Sequence, residues 1–123
     1  MRQAGILAAA GIVALEQMVE RLAEDHENCK RLALGLADFP QIDIDVERVV
    51  TNIVNFSVRN DQQERLTDAE TMHFLKKARE HSVLMGTMGE GTIRAVTHYG
   101  LTGEDIVAAL GGIRRALIDM QIA

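Results

Sequence analysis

The sequence predicts an α+β domain in the order ααββαββα, with a small, largely antiparallel sheet covered by helices. Three observations carry this expectation. Apolar residues recur at helical spacing in some stretches and at period two in others; the two kinds of stretch are interleaved; and Thr-x-x-acidic signatures mark where later helices open.

From Gln3 to Leu15 the chain is almost continuously apolar and small, so a helix there is hydrophobic on every side and needs cover all round. Met18, Leu22, Cys29, Leu32 and Leu36 then recur at helical spacing among charged residues, which predicts an amphipathic helix ending near Asp38, ahead of Pro40. Residues 1–40 therefore read as an apolar connecting helix and an amphipathic helix that pack on polypeptide outside this chain or on another subunit. Residues 41–123 read as the small α+β domain proper.

Within that domain, Ile42 to Val46 alternates at period two, and Val49 to Val58 is a second β-rich run in which Val54, Phe56 and Val58 share a face. Thr67-Asp68-Ala69-Glu70 has the spacing of a capping box and opens a helix to His81, with Met72, Leu75 and Ala78 or Arg79 as its inner stripe. Val83 to Thr87 and Thr92 to His98 read as strands joined across Gly86 to Gly91 in a hairpin. Thr102-Gly103-Glu104-Asp105 opens the last helix, whose Ile106, Leu110, Ile113, Leu117 and Met120 form one apolar face.

Composition narrows the function. The net charge is −5, and the basic residues (Arg21, Lys30, Arg31, Lys76, Lys77, Arg114, Arg115) are scattered among acidic ones, which disfavours nucleic-acid binding. Aromatic content is 3% without tryptophan, too little for base stacking or a sugar platform. The run from Ile6 to Leu15 is about half the length that a membrane span needs. The single cysteine, Cys29, has no internal disulfide partner, and no secretory signal is visible, so a cytoplasmic setting is expected.

Few side chains here suggest chemistry. Glu24 to Cys29 holds metal-capable groups, yet consecutive helical positions point in different directions, so no metal is expected and the stretch reads as a solvated face with Cys29 inside. Gly86 to Gly91 lacks the lysine and hydroxyl of a phosphate loop. His26, His73, His81 and His98 fall in separate elements, and no nucleophile constellation can be built on them. Arg94 is more informative: alternation sets Arg94, Val96 and His98 on one face of a strand, where a planar guanidinium fork suits a carboxylate. The commoner reading of the same pattern is an edge-strand arginine in a surface ion pair.

Several segments resemble, in order and spacing, the low-specificity threonine aldolases. They are Met1-Arg2-Gln3-Ala4-Gly5-Ile6-Leu7-Ala8-Ala9-Ala10-Gly11, Arg21 to Asn28, Thr51-Asn52-Ile53-Val54, and Ile93-Arg94-Ala95-Val96-Thr97-His98. The resemblance covers essentially the whole chain. It implies the small C-terminal domain of a pyridoxal-phosphate (PLP)-dependent enzyme of the aspartate-aminotransferase fold type. It also implies reversible retro-aldol cleavage of L-threonine or L-allo-threonine to glycine and acetaldehyde.

On that resemblance Arg94 matches the arginine that grips the substrate's α-carboxylate, His98 matches a recurrent position without an assigned role, and Arg2 matches a position near cofactor phosphate or a neighbouring subunit. It further implies a homodimer or homotetramer, a β-hydroxy amino acid as ligand, and an N-terminal domain that binds most of the PLP. The lysine that holds the cofactor precedes the opening motif in the family. No catalytic residue is therefore expected here, and the chain alone is expected to be inactive, since Lys30, Lys76 and Lys77 sit on predicted exposed helix faces. Two other readings stand beside this one. Val49 to Met120 has the βαββα order of small amino-acid-sensing modules, and other PLP-dependent enzymes share the arginine's role.

Overall fold

A computed structural model describes residues 2–122 and gives the predicted element order. Helix α1 (Ala4–Val13) passes through a π-helical turn (Ala14–Met18) towards α2 (Leu22–Ala37). No residue of α1 or of the π turn is buried, and the apolar side chains stand in the open, Ile6 at 71% and Leu15 at 75% exposure. This chain does not supply the cover that an all-round apolar helix needs. Helix α2 buries Cys29, Leu32, Ala33 and Leu36 and ends before Asp38, as its periodicity predicts. Leu22, predicted on the inner stripe, is exposed: it opens α2 ahead of Asp25, the first residue of the helix that is buried.

Strand β1 is only Ile42–Asp43, shorter than the predicted run to Val46. The Asp45 carboxylate accepts from Glu47 N at 3.2 Å and starts a 3₁₀ turn, Val46–Arg48, that takes the chain out of the sheet. Strand β2 (Ile53–Val58) consequently begins later than Val49, with Val54, Phe56 and Val58 buried on the expected shared face.

Helix α3 (Asp68–Glu80) opens on the predicted capping box: Thr67 Oγ1 accepts from Glu70 N, and Glu70 Oε2 accepts from Thr67 N at 2.8 Å. The hydrogen bond from the Thr67 backbone lowers the Glu70 carboxyl below its ordinary pKa of 4.5. The inner stripe is Thr71, Phe74 and Ala78 rather than the predicted Met72 and Leu75, one position out of phase; Met72 is exposed and Leu75 half-buried.

The end of α3 explains a larger shift. Ser82 takes φ +65°, Ser82 N donates to Arg79 O, and Val83 N donates to Ala78 O, each at 3.0 Å. This Schellman closure turns Val83 into the core instead of into a strand. Strand β3 is therefore Gly86–Gly89 rather than Val83–Thr87, and the hairpin turns over Glu90–Gly91. Since Ser82 holds a left-handed conformation that favours glycine, Ser82→Gly is expected to stabilise the domain by about 0.5–1 kcal/mol. A raised denaturant midpoint with an unchanged m-value checks it, and a lowered midpoint contradicts it.

Strand β4 (Thr92–Val96) stops two residues before the predicted end, and α4 (Gly103–Asp119) follows on a second capping box, Thr102 with Asp105. Its buried face carries Ile106, Ile113, Ala116 and Leu117, with Leu110 and Met120 half-buried, close to the predicted stripe. His81 Nε2 and Asp119 Oδ2, 2.7 Å apart, join the ends of α3 and α4.

The sheet order is β1-β2-β4-β3, antiparallel throughout. Val54, Phe56, Ile93 and Ala95 point into a core shared with Leu36, Phe74, Ile113 and Leu117 of the helices. The opposite face presents Ile53, Asn55, Arg94 and Val96, of which Ile53, Asn55 and Val96 are exposed.

Candidate functional site

Arg94 lies on that open face, in an interior strand rather than at the edge. The register places Asn55 of β2 opposite it on one side and Gly86 of β3 on the other. Its side chain is half-buried, and its Nε donates to Asn55 Oδ1 at 3.5 Å. Among the described residues it has no ion pair, although other arginines find carboxylates: Arg21 with Asp25, Arg31 with Glu27 and Arg59 with Asp43. The surface ion pair that the sequence pattern also allowed is not formed. A guanidinium on a rigid central strand, flanked by neutral positions and without a counter-charge, has its fork free for an external anion.

His98 follows β4 and is exposed, with Nδ1 and Tyr99 O 2.9 Å apart. Around it lies a polar network that sequence reasoning missed. Asp25 and Asn28, expected on a solvated face, are 3% and 4% exposed. Asp25 takes both arms of Arg21, which stands over the Tyr99 ring at 5.0 Å, and Asn28 Nδ2 donates to Leu101 O at 3.2 Å. Buried Thr97 donates its hydroxyl to Asp25 O at 2.6 Å, and its backbone pairs with Asn52. The hydrogen-bonded carboxylate raises the Arg21 pKa, while burial raises that of the Cys29 thiol, partly opposed by Thr97.

Two of the segments that carry the family resemblance, Arg21 to Asn28 and Ile93 to His98, thus meet in space. The spacing Arg21, Asp25, Asn28 along one helix face was the available signal. Beside this junction is a cleft of about 500 Å³ with a mainly apolar lining that includes Val83, Met85, Ala95, His98 and Ile106. No group of three or more His, Cys, Asp or Glu side chains suited to a metal ion occurs among the described residues.

The other sequence-derived positions do not join Arg94. Arg2 is exposed ahead of α1, a helix that buries nothing. Lys30 is not fully exposed as expected, because its Nζ donates to Val46 O at 3.1 Å; Lys77 pairs with Glu80 at 3.2 Å, and Lys76 is exposed. All three lysines belong to α2 and α3, in the helical layer, and Arg94 faces the other way. The residues present do not by themselves form a site for an aldehyde cofactor held on a lysine.

The profile of the beta-eliminating lyase family matches residues 1–60. Curated relatives extend the match beyond that point: the chain is 34% identical over 121 residues to low-specificity L-threonine aldolase 1 of Arabidopsis thaliana, covering 98% of this chain and 32% of the relative. The chain is similar to the beta-eliminating lyases over its first 60 residues and to threonine aldolases over nearly its whole length. The low-specificity L-threonine aldolase of Escherichia coli K12 is 39% identical over 106 residues, 86% of this chain and 28% of the relative. The chain therefore spans about a third of the length of the curated relatives it matches.

Solved structures share its fold. A transaminase with L-ala superposes with a TM-score of 0.71 at 18% identity, over 94% of this chain and 27% of that one. A C-DES variant with glycine covalently linked to its PLP cofactor gives 0.66 at 22%, over 89% and 28%. The small α+β unit of this chain is thus one found in PLP-dependent transferase-fold proteins, and no helix among the described residues is long and apolar enough to cross a membrane.

Proposed function

We propose that this chain is the C-terminal part of a PLP-dependent threonine aldolase, in which Arg94 grips the substrate's α-carboxylate. The observation that carries the reading is the unpaired guanidinium of Arg94 on the open face of a central strand. The reaction on this reading is retro-aldol cleavage of L-threonine or L-allo-threonine to glycine and acetaldehyde, and it is supported by curated relatives named low-specificity L-threonine aldolases.

The cofactor, held by a preceding domain outside this chain, supplies an electron sink for the cleaved Cα–Cβ bond. The contribution of this chain is orientation. With its carboxylate fixed by a planar fork on a sheet, the amino acid cannot rotate freely about its Cα, and the scissile bond keeps one direction relative to the rest of the site. The exposed apolar α1 is where the preceding domain or a neighbouring subunit of a homo-oligomer packs. The isolated chain is inactive on this reading, because none of its lysines faces Arg94's side of the sheet.

The test is Arg94→Leu in the complete enzyme, cofactor domain included. Loss of a charge-assisted hydrogen-bonded pair is expected to lower kcat/KM for threonine about 10–100-fold. A variant that retained the parent's kcat/KM would remove the carboxylate assignment.

A further inference from the structure

Arg94 and Asn55 are Cα partners across the β2–β4 ladder, so their side chains rise from the same face at a spacing fixed by the backbone. Arg94 Nε donates to Asn55 Oδ1 at 3.5 Å, and a neutral amide accepts that bond without cancelling the charge. The opposite flank is Gly86, where even a Cβ would meet nothing within 4 Å. The guanidinium is thus held on its β2 side and free on its β3 side. A carboxylate can be taken side-on, by Nε and one Nη, or end-on, by both Nη groups. With Nε engaged by Asn55, the end-on mode is the one left open.

We propose that Asn55 is a positioning residue for Arg94, holding its Nε so that the two Nη groups receive an amino-acid carboxylate end-on from the Gly86 side. This rests on the assignment of Arg94 as the carboxylate clamp, and the experiment separates the two claims. In the complete holoenzyme, half-saturation by glycine and by ethanolamine, an amine of similar size without the carboxylate, is read from the cofactor absorbance.

Asn55→Ala is expected to weaken glycine about 3–10-fold, the weight of one modest hydrogen bond, with ethanolamine and the thermal midpoint unchanged. In the Arg94→Leu background the same substitution is expected to add nothing, since the group it positions is gone. In the Arg94→Lys background it is likewise expected to be silent, because lysine has no Nε–H alongside a fork. If Arg94→Leu weakens glycine and Asn55→Ala leaves it unchanged, the positioning claim fails and the clamp stands. If Asn55→Ala weakens glycine equally with and without Arg94, or weakens ethanolamine as much as glycine, Asn55 acts by another route and the claim also fails. If Arg94→Leu itself spares glycine, the clamp fails and the positioning claim falls with it.

Discussion

Replacing Phe74 with alanine is expected to lower the unfolding free energy by about 3–5 kcal/mol, a large share of what a domain of this size has to lose. Phe74 is fully buried at the centre of the α3 stripe, where it belongs to the same core as Leu36, Ile93 and Leu117. Neighbours drawn from a helix, a strand and another helix cannot all collapse into the space left by a ring, so a cavity term adds to the lost transfer energy. Met72→Ala provides the contrast. Met72 is exposed, so its truncation is expected to change stability by less than about 0.5 kcal/mol. Urea unfolding of the two variants decides between the observed stripe and one set by Met72 and Leu75; a larger loss at Met72 than at Phe74 would show that the stripe has been wrongly phased.

Gly91→Ala is expected to cost about 2–4 kcal/mol. Gly91 has φ +72°, a left-handed conformation that costs an L-residue about 1–2 kcal/mol. A Cβ would also come within 2.6 Å of Leu66 O, a backbone atom that cannot rotate away, and 3.1 Å of the Arg65 side chain. The same residue donates its N–H to Asp68 Oδ1 at 2.9 Å, which ties the hairpin to the first turn of α3. Gly89→Ala separates the two contributions: φ is +84° there, but nothing lies within 4 Å of an added Cβ. It is expected to lose only the conformational part, about 1–2 kcal/mol, in the same unfolding measurement. Equal losses at both glycines would show that the contact with Leu66 contributes nothing.

The elements that the sequence made legible are those whose causes are local. Thr67 with Glu70 and Thr102 with Asp105 satisfy each other within one turn, and the α4 stripe from Ile106 to Leu117 repeats without interruption, so residues three and four apart are enough to reveal them. Where a non-glycine residue adopts an unusual conformation, the local pattern misleads. Val83 to Met85 reads as a strand, yet Ser82 bends Val83 inward, and β3 starts three residues later.

The site divides along the same line. Alternation alone puts Arg94 and Val96 on one face, opposite Ile93 and Ala95. Strand order puts Arg94 in the interior of the sheet, between Asn55 and Gly86, and strand order is decided by pairings that no short window contains. Asp25 and Asn28 were hidden for the same reason: the groups that satisfy them, apart from Arg21, come from the far end of the chain, and a buried polar residue without its partner in view reads as solvated.

The hydrogen bond from Thr97 to the Asp25 carbonyl also bears on how the domain is made. It joins positions 72 residues apart, and the bond from Asn28 to Leu101 O joins positions 73 apart. During synthesis α2 emerges early with amphipathic character and Arg21 satisfies the Asp25 carboxylate locally, but the acceptor that makes burial of the Asn28 amide tolerable is translated much later. Docking of α2 before residues 97–101 arrive would leave the Asn28 amide buried without an acceptor, which opposes burial of the nascent helix until that segment is in place. The polar junction thus acts as an ordering device for assembly: it opposes closure of α2 until the segment after β4 supplies the acceptor at Leu101.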